Sequence, residues 1–309
     1  MKLLLSKPRG FCAGVERAID SVERALEIWG PPIYVKHEIV HNQHVVHALR
    51  QKGAVFIEDL DLVPEGARLI YSAHGVSPKV REKAKERKLK VIDATCGLVT
   101  RVHSAVKRFA KLGYKIVLIG HKNHVEVIGT KGEAPELTYV VESLEDVEKL
   151  PFERGEKLFY ITQTTLSLDD VKEISQALLK RYPDIETLPS SSICYATTNR
   201  QNALREITNS SDLILVVGDR QSSNSNRLVE VARNRGLRAY LINDESEIDL
   251  VSLEGVNCIG MTAGASTPED VVQACIQRLR ELGVRSVQDL DYCKEEVFFE
   301  LPKELLEVH

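Results

Sequence analysis

A chain of 309 residues, 43% hydrophobic and 28% charged, is long enough for two or three compact domains of an ordinary globular protein. A formal net charge of −4 excludes a strongly basic nucleic-acid footprint. No apolar run approaches the ~20 residues a membrane span needs, and MKLLLSKPRG is too soon interrupted by Pro8 to read as a signal peptide, so a cytoplasmic setting with reduced thiols is expected.

Taken in chain order, LLL at residues 3–5 predicts a strand leading through PRGF to Cys12. AGVERAIDSVERAL then has helical periodicity. The strand run IYVKHEIVHN ends near His41; of its neighbours, His37, His44 and His47 are expected to be solvated, with His41 alone pointing inward. RLIYSAHGVSPKV is a second strand and loop carrying His74, with Ser77-Pro78 as cap and first-turn proline of a helix. KVIDAT leads to Cys96 and the helix GLVTRVHSAVKRFAKLG. KIVLIGHKNHVEV carries His124 and Glu126 beyond a strand, and KLFYITQTTLSLDDV carries Thr164, with Ser167 as a helix cap. The weak run SSSI precedes Cys194 and the helix YATTNRQNALREI. LILVVGDRQSSNSNRL offers Ser222, Ser223 and Asn224 before a helix running from Asn226, and NCIGMTAGASTPEDV offers Gly264 and Ser266 before a cap and proline at Thr267-Pro268.

The same plan therefore occurs three times. His41, His124 and Ser222 follow Cys12, Cys96 and Cys194 by 29, 28 and 28 residues, and His74, Thr164 and Gly264 follow them by 62, 68 and 70. Strand–helix alternation with nearly all-apolar strands predicts small parallel sheets covered on both faces, with ligands beyond the carboxyl ends of the strands. The expected domains are 1–95, 96–193 and 194–282, with 283–309 as a tail packing on the body. Three such units around an axis would bring three cysteines and six polar loops to one cavity.

Three thiolates from separate loops can hold a four-iron, four-sulfur cluster by three irons and leave the fourth open to substrate. Their places at helix starts favour the thiolate. Buried structural cysteines or a three-cysteine zinc site are the alternatives, but there is no C-x-x-C pair, and packing alone does not call for three thiols in register. Cys258 and Cys275 lie on apolar stretches and read as structural; Cys293 has no assigned role. Ser222, Ser223, Asn224 and Ser266 at helix starts, with His41 and His74, suit a phosphorylated anion. Glu126, near both cluster and anion, would be disfavoured in its ionised form, which suits a proton donor; Glu133 and Glu136 are expected to tolerate loss of charge.

RGFCAGVERAI, HEIVHN, SAHGVS, DATC-x-LVT, GH-x-x-H-x-E-V-x-GT, TQTTLS, ICYATTNRQ, SSNSNRL and TAGAS together resemble the LytB/IspH family of 4-hydroxy-3-methylbut-2-enyl diphosphate reductases, in order over about residues 9 to 270. The resemblance implies a trefoil of three α/β domains around a central iron–sulfur cluster. It implies removal of an allylic hydroxyl with two electrons and two protons, giving isopentenyl and dimethylallyl diphosphates in the last step of the non-mevalonate pathway. Carried over, Cys12, Cys96 and Cys194 match the cluster ligands; His41, His74, Ser222, Ser223, Asn224 and Ser266 the diphosphate site; His124 a further substrate-site histidine; Glu126 the proton donor; and Thr164 the residue assisting it. The family commonly has proline where Gly97 and Val125 stand here. No G-x-G-x-x-G fingerprint is present, so electrons are expected from a separate carrier such as ferredoxin or flavodoxin. The rival readings are an iron–sulfur hydro-lyase on a phosphorylated substrate and a non-enzymatic iron–sulfur sensor.

Overall fold

The computed structural model describes residues 1–153 and 155–306, so the end of the expected tail, 307–309, lies outside the described residues. The first stretch forms β1 (Lys2–Lys7), α1 (Ala13–Trp29), β2 (Ile33–Lys36), α2 (Gln43–Gln51), β3 (Ala54–Ile57), β4 (Arg68–Tyr71), α3 (Pro78–Glu86) and β5 (Lys90–Asp93). The middle forms α4 (Gly97–Lys111), β6 (Lys115–Ile119), α5 (Val125–Lys131), β7 (Thr138–Val141), α6 (Leu144–Glu148), β8 (Leu158–Thr162) and α7 (Leu168–Arg181). The last forms α8 (Tyr195–Thr208), β9 (Leu213–Val217), α9 (Ser223–Asn234), β10 (Arg238–Ile242), β11 (Cys258–Ala263), α10 (Glu269–Glu281), β12 (Ser286–Asp291) and α11 (Lys303–Leu306). Among the described residues no helix is long and apolar enough to cross a membrane.

The strands make three parallel sheets, in the orders β10-β9-β11-β1-β12, β3-β2-β4-β5 and β7-β6-β8. Burial on both faces explains the apolar sequences of central strands such as β6 and β9, while the edge strand β12 is polar and largely exposed. In β1, Leu3 and Leu5 join one core cluster and Leu4 another; in β6, Val117 and Ile119 face one cluster, Ile116 and Leu118 the other. The chain divides into two compact units: Met1–Val15, His41–Val45 and Tyr195–Phe298 form the first, with the five-stranded sheet; Glu16–Val40, Val46–Cys194 and the tail from Phe299 form the second, with the other two.

The three sheets share one arrangement of strands. In each sheet a central strand (β9, β2 or β6) has one later strand on one side and another (β11, β4 or β8) on the other. The strand that leads into a cysteine then adds beside that last strand, in the sheet of the preceding repeat. Thus β5, before Cys96, pairs with β4, and β1, before Cys12, pairs with β11. Residues 286–291, expected in the tail, are the edge strand β12 against β1. SSSI forms no strand; only a single bridge, Phe159 to Glu186, marks that place beside β8. Ser77 and Ser167 cap α3 and α7 as expected. α9 starts at Ser223 rather than Asn226, and Pro268 rather than Thr267 caps α10.

Candidate active site

In the first unit, Cys12 immediately precedes α1 and its N–H donates to the Ala265 carbonyl at 3.3 Å. Ser222 caps α9, its Oγ accepting from the Ser225 N–H at 3.3 Å. Ser223 is the first residue of that helix. The buried Asn224 amide joins the two polar loops: its Oδ1 accepts from the Ala265 N–H at 2.9 Å and its Nδ2 donates to Thr197 Oγ1 at 3.2 Å. Ser266 Oγ donates to the His41 carbonyl at 2.9 Å. Gly218 and Gly264 flank Ser225 so closely that a Cβ on either would strike its hydroxyl, which is why this turn needs glycine on both sides. Ser222, Ser223, Asn224, Ser266, His41 and Cys12 thus belong to connected loops of one unit.

The second unit gathers His74, Cys96, His124, Glu126, Thr164 and Cys194. The Cys96 N–H donates to the Ala73 carbonyl at 3.0 Å, next to His74. The Cys194 N–H donates to the Thr164 carbonyl, also at 3.0 Å. Glu126 is 3% exposed; its Oε1 accepts from the Thr164 N–H at 2.7 Å and its Oε2 lies 2.9 Å from the Thr164 hydroxyl. Thr164 therefore touches both the acid and the third cysteine. His124 caps α5, its Nδ1 accepting from the Glu126 N–H at 3.2 Å, so a neutral His124 carries its proton on Nε2. The His124 and His74 rings lie 6.1 Å apart, and His74 Nδ1 is 3.3 Å from Ser72 Oγ.

His37 corrects the expectation of a solvated side chain. Its ring stands 5.8 Å from that of His74, its Nδ1 lies 2.6 Å from Glu58, and only 22% of its side chain is exposed. His44 and His47 do face outward, toward Asp244 and Gln51. Both family prolines that this chain lacks fall at the first helical position: Gly97 after the cap Cys96, Val125 after the cap His124. There a missing N–H costs no helical bond, so proline only stiffens the turn. At Gly97 the Phe299 ring fills the vacated space, its Cε1 lying 3.1 Å from where a Cβ would be.

The three cysteines share a setting that Cys258 and Cys275 lack. Each is half-buried, at or next to a helix N-terminus, and tied by its own N–H to a polar loop. Burial instead pushes the Cys258 thiol up and that of Cys275 to about 12. This donor set, soft thiols presented where helix N–H groups favour negative charge, fits an iron–sulfur cluster.

Sequence reasoning missed the groups that hold these loops. Arg200, fully buried in α8, donates to the carbonyls of Gly10 (2.7 Å) and Phe11 (3.2 Å), just before Cys12, and pairs with Glu295 at 3.0 Å. Tyr195 Oη accepts from the Ala13 N–H at 3.2 Å, and burial, with Cys12 nearby, pushes its phenol well above the ordinary range. Arg17 spans the carbonyls of Asp93 (3.2 Å), Thr95 (3.1 Å) and Glu300 (2.7 Å), joining the tail to the turn before Cys96. Glu133, expected to tolerate a change to glutamine, has a side chain only 4% exposed and bonds His103 and Arg81. An arginine or glutamate in or beside a helix has a solvated face as its ordinary reading, so nothing local marked Arg17, Arg200 or Glu133.

The LytB protein family's sequence profile matches residues 3–280. The chain is 71% identical over 306 residues to a protein of Protochlamydia amoebophila (strain UWE25) named 4-hydroxy-3-methylbut-2-enyl diphosphate reductase, covering 99% of this chain and 98% of that one. It is 65% identical to the protein of the same name from Chlamydia pneumoniae, over 98% of each. The solved structure of the E-1-hydroxy-2-methyl-but-2-enyl-4-diphosphate reductase from Plasmodium falciparum superposes with a TM-score of 0.97 at 51% identity, over 99% of this chain and 96% of that one. By sequence over its whole length and by fold, the chain belongs to the LytB family.

Proposed function

We propose that the chain reduces (E)-4-hydroxy-3-methylbut-2-enyl diphosphate to isopentenyl and dimethylallyl diphosphates, the last step of the non-mevalonate isoprenoid pathway, with Cys12, Cys96 and Cys194 holding a four-iron, four-sulfur cluster by three irons. The shared name of relatives 59–71% identical over nearly the whole chain supports the reaction. One observation carries the site assignment: each of the three cysteine N–H groups is bonded to a carbonyl of a polar loop that itself bears, or adjoins, a candidate substrate group.

In the reaction a C–O bond breaks, two electrons and two protons enter, and water leaves. When bound, the cluster supplies electrons and, at its iron without a cysteine, a Lewis acid for the hydroxyl oxygen. The chain's residues do the rest. The start of α9, with Ser222, Ser223 and Asn224, and Ser266 hold the diphosphate with N–H and hydroxyl donors. His41, His74 and His124 add ring donors along the substrate. Glu126 delivers a proton to the departing oxygen. Its Oε1 is held as an acceptor by the Thr164 N–H, so the proton it carries rides on Oε2, beside the Thr164 hydroxyl. That hydroxyl can accept from the acid or donate to the carboxylate, so Thr164 keeps Glu126 satisfied before and after transfer. Electrons come from a small carrier protein, ferredoxin or flavodoxin, in the cytoplasm.

The test is an anaerobic assay with a chemically reduced dye and the hydroxylated diphosphate. Two reducing equivalents should disappear per substrate consumed. Substrate loss without reductant would instead identify a hydro-lyase. A brown, cluster-loaded protein that turns nothing over would point to a sensor.

A further inference from the structure

We propose that Glu133 is a positioning residue for the His74 turn, acting with His103 and Arg81; this rests on the reading of His74 as a diphosphate ligand. Glu133 lies just beyond α5, which begins with Glu126 in its first turn. Its Oε1 accepts from His103 Nδ1, on α4, at 2.9 Å, and from Arg81 Nη2, on α3. The other Arg81 nitrogen, Nη1, donates to the Val76 carbonyl at 2.9 Å, two residues after His74. The far edge of the His103 ring is a wedge: a Cβ on Gly75 would sit 3.2 Å from Nε2, and one on Gly129 would sit 3.3 Å from Cε1. A Cβ on Gly132 would meet the Ser77 Cβ at 2.5 Å. Three glycines thus let the 74–77 turn press directly on α5 and on the imidazole.

The carboxylate is the common partner of the two groups that touch this turn, one through a carbonyl and one through ring packing. Gly75, at φ +76°, gives the turn no stiffness of its own. Remove the carboxylate, and both His103 and Arg81 lose the bond that fixes their place. His74 then samples positions that no longer meet the anion. Glu133 also borders a cavity of about 150 Å³ lined by Arg81, Thr95, His103 and Lys107, so water can solvate a neutral replacement and the fold should survive it.

The experiment is a double-mutant cycle read by binding of inorganic diphosphate to the anaerobically purified protein, using wild type, Glu133→Gln, His74→Ala and the double variant. Glu133→Gln should weaken binding by a factor of about 5–20 in the wild-type background and less than about 2 in the His74→Ala background, the non-additivity expected of groups acting in series. Glu136→Gln, on an exposed side chain a turn away, serves as control and should bind as wild type does. Equal losses in both backgrounds, or none in either, would overturn the positioning role while leaving the anion site intact. A His74→Ala variant that binds diphosphate as wild type does would overturn the reading of the site and the proposal with it. If Glu133→Gln does not fold, Arg81→Ala, whose side chain is 40% exposed, is put through the same cycle with the same expectation.

Discussion

At the scale of single residues, two glutamates a few positions apart have different partners, and the proposed roles follow from them. Glu126 meets Thr164 through both carboxylate oxygens. Glutamine keeps the size and the contact of Oε1 but cannot release a proton. Glu126→Gln should therefore keep cluster and substrate binding while turnover falls by a factor on the order of 10²–10⁴, measured under saturating reductant. Near wild-type turnover would move the proton source elsewhere. Glu133 is held charged by its neighbours. Burial alone would raise its pKa, but the bonds from His103 and Arg81 outweigh it and hold the carboxyl below the ordinary 4.5. A carboxyl depressed in the folded state contributes stability above its unfolded pKa and loses it as pH falls through the folded one. In urea melts, the stability gap between wild type and Glu133→Gln should be full at neutral pH and narrow below pH 4.5; a gap that stays constant into acid would contradict the pairing.

At the scale of elements, the turns that present the cysteines are braced from a distance. Arg200, fully buried, and Glu295, half-buried, form a pair behind Gly10 and Phe11. Glu295→Ala leaves the guanidinium without its counter-charge, and breaking such a pair costs about 3–5 kcal/mol. Denaturant unfolding should register that loss; a change under about 0.5 kcal/mol, the ordinary surface range, would mean Arg200 is satisfied by carbonyls alone. The second cysteine turn is braced by the tail. Phe299 occupies the space beside Gly97 that the family's proline ring would need. Gly97→Pro alone should destabilise by about 1–3 kcal/mol, the range for overpacking, and combining it with Phe299→Ala should recover part of the loss. Strictly additive thermal melts would show that ring and tail do not compete for the same volume.

At the scale of the whole molecule, ligand binding should be visible as stability. Inorganic diphosphate at 100 times its Kd should stabilise the protein by about 2.7 kcal/mol through mass action, seen as a raised melting temperature, and Asn224→Ala should shrink that shift. Apart from SSSI and the edge strand β12, the local order of strands and helices and the recurrence of cysteines and polar loops were legible in the sequence, because apolar periodicity, caps and polar loops are short-range signals. So were Glu126 and Thr164, whose spacing marks two strand ends of one sheet. What the sequence did not contain was which sheet a leading strand joins. KVIDAT and LLL look alike, and only tertiary pairing puts β5 against β4 and β1, from the far end of the chain, against β11. For the same reason each cysteine is tied to a loop of the preceding copy, Ala73 for Cys96, Thr164 for Cys194 and Ala265 for Cys12. Arg17, Arg200 and Glu133 stayed invisible on like grounds. Backbone hydrogen bonding and charge pairing are satisfied by whatever the fold brings near, and their partners here lie 52, 95 or 283 residues away in the chain.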